Sequence, residues 1–124
     1  MDASDRPGVS AEVRRGDIHW VDWSPGRGSE QAGRRPALVI QTDPANLSST
    51  YPNTIVATIS TTGRELFTHV ALDPTPHNGL AQRSYVKCEQ LLTISKSRLG
   101  GRLGRVTDAE MAKVAQGLRY ALSL

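Results

Sequence analysis

Hydrophobic and polar positions along this chain fall into two regimes. Between Ile18 and Leu91 the apolar residues come in short runs separated by turn-rich stretches, and after Thr107 they recur at spacings of three and four. Ile18 to Trp23 is rich in β-branched and aromatic residues and predicts a strand. Ala37-Leu38-Val39-Ile40 is a continuous apolar run, the pattern of a strand buried on both faces. Asp43 to Pro52 is turn-rich. Thr54 to Ile59 predicts a third strand, running out at Ser60-Thr61-Thr62-Gly63, and Thr68 to Leu72 and Ser84 to Leu91 predict two more. At the C-terminal end, Thr107-Asp108-Ala109-Glu110 matches a capping box, in which a hydroxyl and a carboxylate satisfy the first free N–H groups of a helix. Met111, Val114, Ala115, Leu118, Ala121 and Leu122 then share one helical face, which reads as core packing.

This order, several short strands followed by one helix, predicts a mainly β fold with a C-terminal α-helix, bent into a small barrel or sandwich. A length of 124 residues suits one domain with one modest core. Residues 1 to 13 hold Pro7, Gly8 and several charges without periodicity and read as a flexible N-terminal extension. The domain is expected over 14–124.

Composition narrows the function classes. No apolar run approaches the roughly 20 residues that span a bilayer, and the polar start of the chain lacks the features of a signal peptide. A cytoplasmic protein without membrane association is expected. The single cysteine, Cys88, can neither close an internal disulfide nor supply a cysteine cluster for zinc. In a strand it reads as a small packed residue. His19, His69 and His77 are scattered, so no metal site is expected. The net charge of +3 is compatible with nucleic acid without establishing it.

Candidate chemistry is concentrated between the first two strands. Ser24 to Arg34 is a long loop carrying Pro25, Gly26, Gly28 and Gly33, and long loops in small domains are often functional. Gly28-Ser29-Glu30-Gln31-Ala32-Gly33-Arg34-Arg35-Pro36 brings a carboxylate, an amide and two guanidiniums to one place. Arginine offers a planar, permanently charged donor fork suited to phosphate, and Pro36 limits where Arg35 can point. Read on the residues alone, the segment is either a solvated turn with surface arginines or a phosphate contact. Trp20 and Trp23 read as strand core, with base stacking as the lesser alternative.

Gly16-Asp17-Ile18-His19-Trp20-Val21-Asp22-Trp23, then Ser24-Pro25, then Gly28 to Pro36 resembles the N-terminal signature of the MazF/PemK toxins. The likeness continues through Ala37 to Ile40, Ile55 to Thr61, Thr68-His69-Val70, Cys88-Glu89-Gln90, Ile94 to Leu99 and the C-terminal helix, so that it covers about residues 14 to 124. It implies a small SH3-like, PemK-like β-barrel. It also implies a toxin endoribonuclease that needs no metal or other cofactor. Such an enzyme cuts single-stranded mRNA at a short motif through attack of the ribose 2′-OH, leaving a 2′,3′-cyclic phosphate and a 5′-OH. Arg35, immediately before proline, matches the catalytic arginine, better suited to stabilising phosphorane charge than to moving protons. Ser60 matches the catalytic hydroxyl, with the adjacent Thr61 as the alternative. Gly28, Ser29, Glu30, Gln31, Arg34 and Thr61 are expected along the RNA path.

The resemblance further implies a homodimer and a MazE-like antitoxin with an acidic segment that covers the RNA groove, promoter DNA being bound only through that complex. Two other readings stay open: a relative of the same fold that poisons a protein target such as DNA gyrase, and a nucleic-acid-binding barrel without chemistry.

Overall fold

Among the described residues six strands, two α-helices and a 3-10 turn at Lys96–Arg98 form, most of them where the hydrophobic pattern or a capping box predicts. The computed structural model describes residues 12–22 and 33–124. In chain order the elements are β1 (Asp17–Asp22), β2 (Arg34–Val39), the short α1 (Asp43–Asn46), β3 (Asn53–Ser60), β4 (His69–Leu72), β5 (Ser84–Ser95), β6 (Leu99–Arg105) and α2 (Asp108–Leu122). All six strands join one sheet in the order β4-β5-β3-β2-β1-β6, every neighbouring pair antiparallel. The expected mainly β fold with a C-terminal helix is therefore what the chain adopts. Among the described residues no helix is long and apolar enough to cross a membrane.

The run at 37–40 is buried on both faces, as its continuous apolar pattern requires. Leu38 and Ile40 belong to the larger core with Ile18, Ile59, Leu72 and Val86, whereas Ala37 and Val39 join a second cluster with Val13, Val21, Val56 and Leu99. Val13, counted with the N-terminal extension in the sequence reading, is thus a core residue; residues 1–11 lie outside the described part. Strand β2 starts three residues earlier than the apolar run. Pro36, which lacks an N–H, is accommodated there because the ladder to β3 begins only at Ala37.

The helix begins as its sequence predicts. Glu110 N–H donates to the Thr107 hydroxyl at 3.1 Å, and Thr107 N–H donates to the Glu110 carboxylate at 2.8 Å. Val114 and Gly117 are buried, Met111 and Leu118 pack against the larger core, and Leu122, expected on the same face, is exposed in the last turn. Gly117 is required by close approach. A Cβ there would lie 2.7 Å from Cys88 Sγ and 3.0 Å from the Phe67 carbonyl oxygen.

Strand β6 is the element the hydrophobic pattern does not predict. Its sequence, Leu-Gly-Gly-Arg-Leu-Gly-Arg, has low strand propensity, and tertiary contacts hold it. Asp17 on β1, almost fully buried, receives Arg105 Nη1 at 2.8 Å and Arg102 Nε at 3.3 Å. On its other side β6 meets the β4–β5 connection, where Arg105 N–H donates to the His77 carbonyl at 3.0 Å and Gly79 rides on the Leu103 carbonyl. Asn78, fully buried, fastens that turn: its side-chain oxygen accepts the N–H groups of Thr75 and Leu80, and its amide donates to the Asp73 carbonyl. The two edge strands of the sheet are bridged in this way, which curls it into a small barrel.

Candidate active site

The crossing of β2, β3 and β5 positions the side chains of interest. In the β2–β3 ladder Ala37 stands opposite Thr58. Continuing that register two residues toward the start of β2 brings Arg35 beside Ser60. On the other side of β3, Thr58 faces Lys87 and Ser60 faces Tyr85. Side chains two apart on a strand share a face, so Arg35, Ser60 and Lys87 converge. Together with Thr58, Thr62 and Gln90 they line a cavity of about 180 Å³.

Ser60 is held at the end of β3 by a local turn. Its hydroxyl oxygen accepts the backbone N–H of Thr62 at 3.1 Å and lies 3.0 Å from the Thr62 hydroxyl. One lone pair is thereby committed, and the Ser60 proton remains able to be donated. Gln90 arrives by a different route. The β3–β5 register slips between Ala57, opposite Leu91, and Thr58, opposite Lys87, so residues 88–90 bulge out of the β3 ladder. The Thr58 hydroxyl donates to Gln90 Oε1 at 3.0 Å across that bulge.

The cavity is electropositive. Arg35 and Lys87 are its charged lining residues, and the described lining contains no carboxylate. Arg35 is exposed and Lys87 half-buried, so both cations can meet a solvated anion without the desolvation cost of a buried charge. The nearest acid by sequence, Glu89, is occupied. Its Oε2 lies 2.7 Å from His69 Nε2, while His69 Nδ1 accepts the backbone N–H of Arg64 at 3.1 Å. A ring nitrogen that accepts an N–H carries no proton, so His69 donates to Glu89 as the neutral Nε2–H tautomer.

The remaining sequence-predicted residues divide. Arg34 points to the other face of β2 from Arg35, its guanidinium carbon 5.0 Å from the centroid of the half-buried Trp20 ring, a cation–π arrangement. Thr61 is exposed and outside the lining of the Arg35–Ser60 cavity. Gly28, Ser29, Glu30 and Gln31, like Trp23, lie outside the described residues. Lys87, Thr62 and Gln90 were not singled out from the sequence. The period of two along β5 puts Lys87 on one face with Tyr85, but only the β3 register reveals that this face meets Ser60. Among the described residues no group of three or more His, Cys, Asp or Glu side chains is placed to hold a metal ion.

Cys88 is fully buried against α2. Burial, with the neighbouring Glu89 charge adding to it, pushes its thiol up to about 11. A thiol so placed is protonated at neutral pH and is no nucleophile.

Comparison with known proteins accords with this geometry. The chain is 41% identical over 114 residues to the endoribonuclease EndoA of Bacillus subtilis, covering 90% of this chain and 96% of that protein. Among solved structures it resembles a mycobacterial endoribonuclease in complex with its cognate antitoxin, with a TM-score of 0.75, 28% identity and coverage of 90% and 96% of the two chains. It is similar also to the Mycobacterium tuberculosis toxin MazF-mt6, with a TM-score of 0.72, 29% identity and coverage of 87% and 97%. The profile of the PemK-like, MazF-like toxins of type II toxin–antitoxin systems matches residues 14–122, and the chain belongs to that family.

Proposed function

We propose that this chain is a toxin endoribonuclease that cuts single-stranded RNA at a short sequence motif without a metal ion, through attack of the ribose 2′-OH on the adjacent phosphate. The observation that carries the reading is the meeting of Arg35 and Ser60 in one cavity that has cations and hydroxyls for its lining. In-line attack builds negative charge on the non-bridging oxygens of a pentavalent phosphorane. The Arg35 fork neutralises that charge and fixes the phosphate's orientation, and Ser60 donates its hydroxyl to one of the same oxygens. Lys87 adds a second fixed charge. Cleavage of the P–O5′ bond then leaves a 2′,3′-cyclic phosphate and a 5′-OH. The 2′-OH nucleophile selects RNA over DNA, and in-line geometry favours a flexible single strand over an A-form duplex.

Gly28, Ser29, Glu30, Gln31, Arg34 and Thr61 belong to the RNA path in this reading, Arg34 as a phosphate contact and Glu30 reading a base edge or ordering the loop. The partner is an antitoxin with an acidic segment complementary to the basic groove. A mycobacterial relative of the fold is described as a complex with its cognate antitoxin, which supports that pairing. The active form is a homodimer.

The test is incubation of the purified protein with long single-stranded RNA in EDTA. Site-specific cuts bearing 5′-OH ends are expected, and Arg35→Ala and Ser60→Ala should each abolish them with the fold intact. An Arg35→Ala protein that cuts at the wild-type rate would overturn the assignment. Intact RNA together with inhibited DNA supercoiling would point instead to a gyrase poison, and retarded but intact RNA to a simple binder.

A further inference from the structure

A second, larger cavity of about 460 Å³ has a lining separate from that of the first, and the β3–β5 ladder connects them. It lies between residues 64–71, the start of β5 and helix α2. Tyr85 joins the two: it faces Ser60 across the β3–β5 ladder and lines the second cavity, two residues from Lys87 in the first. That separation is about 7 Å along a strand. The chain leaving Ser60 crosses the Tyr85 ring at Gly63, where a Cβ would fall 2.3 Å from a ring carbon, and enters the second cavity at Arg64.

Two exposed aromatic rings stand at this cavity, Phe67 at 80% and Tyr120 at 66% of full exposure. Their centroids are 5.4 Å apart with the planes tilted by 41°. Exposed rings held side by side present a large apolar area to water, and their positions are set by backbone. Phe67 is seated by the close contact of its carbonyl with Gly117, one turn of helix before Tyr120. Charge completes the pattern. Arg64, Arg83 and Lys113 line the same cavity against one carboxylate, Glu65. Arg83 is paired with Asp73, but none of the ion pairs among the described residues engages Arg64 or Lys113.

We infer that this cavity is a nucleotide subsite of the same RNA path: a base flanking the cut stacks on Phe67 and Tyr120, and its phosphate is met by Arg64 and Lys113. Aromatic platforms interleaved with cations are how proteins hold single strands without reading them closely, because every base has a π-face. Continuity with the Arg35–Ser60 cavity through Tyr85 favours RNA over a protein segment as the occupant. The inference rests on the ribonuclease reading above.

The experiment uses the full chain and RNA oligonucleotides that contain its cleavage motif. Each carries one abasic nucleotide, at successive positions on either side of the cut. The double variant Phe67→Ala/Tyr120→Ala should lose about tenfold to a hundredfold in kcat/KM on the intact oligonucleotide, mostly through KM. At one flanking position the abasic lesion should cost the wild type a similar factor and cost the double variant nothing more. Tyr120→Phe, which keeps the ring, should lose much less than Tyr120→Ala. Both rings are exposed, so unchanged thermal melting is expected of the double variant. Wild-type kcat/KM in the double variant overturns the inference, as does a loss that adds to the abasic loss at every position. Normal cutting with lost inhibition by the antitoxin overturns it in favour of a protein-docking surface. Absence of cutting by the wild type itself, with Arg35→Ala no different, overturns the ribonuclease reading and this inference with it.

Discussion

Thr58 on β3 donates its hydroxyl to the side-chain oxygen of Gln90, 3.0 Å away, across the point where β5 leaves the ladder. The bond makes a bulge into part of a cavity wall. Thr58→Val removes the hydroxyl at nearly constant volume. The bond is exposed, so unfolding free energy should change by only about 0.5–1.5 kcal/mol. RNA cleavage kinetics should show a KM raised several-fold and a nearly unchanged kcat. An unaltered KM would mean that Gln90 finds its position without Thr58.

Arg35→Lys separates charge from shape. Lysine keeps the positive charge and loses the planar fork that meets two phosphate oxygens together. Single-turnover cleavage should fall about 100- to 1,000-fold, the size of effect seen when one preorganised donor is taken from a transition-state oxyanion. Arg35 is exposed, so melting should be unaffected. A rate within a few-fold of wild type would show that point charge alone suffices.

Gly117→Ala should destabilise the protein although alanine is the better helix former. The added methyl would lie 2.7 Å from Cys88 Sγ, closer than real Cβ atoms come, and 3.0 Å from the Phe67 carbonyl oxygen, so one of these neighbours must shift. The overpacking cost of about 1–3 kcal/mol outweighs the gain of about 1 kcal/mol in helix propensity. Chemical denaturation should show a lower midpoint, and a rise would mean that α2 shifts freely on the sheet.

The Cys88 thiol predicts an alkaline limit to stability. Its folded value is raised to about 11, against about 8.5 in an unfolded chain. Below about 8.5 both states hold the proton. Above that value the unfolded chain sheds it while the folded protein keeps it, so stability falls as pH rises toward 11. The melting-temperature difference between wild type and Cys88→Ala should therefore narrow between about pH 8 and pH 11. Iodoacetamide should label Cys88 at pH 8 only after denaturation, and fast labelling of the native protein would contradict this burial.

The parts of this fold that were legible beforehand are those whose pattern is local. The apolar run at 37–40 announces a strand with two buried faces, and Thr107 with Glu110 announces the helix start. Strand β6 was not legible, because three glycines in seven residues argue against a strand. Its reasons are elsewhere in the chain: Asp17 attracts Arg102 and Arg105, and the turn at His77 to Gly79 comes too close for side chains at Gly104. The candidate site shows the same division. Arg35 and Ser60 stand out through motif resemblance. Lys87 and Gln90 depend on the register of β5 against β3 and on a bulge that no local signal marks.

The pairing of β1 with β6 has a consequence for synthesis. Asp17 is made early and its partner Arg105 late, 88 residues further along the chain. A polypeptide that stops before Leu99 leaves β1 with an open edge, the Asp17 carboxylate without its two guanidiniums, and the 77–79 turn with nothing to dock on. Contacts of such long range form slowly and all together. A nascent or prematurely terminated chain is thus an unclosed sheet until translation has passed the last strand.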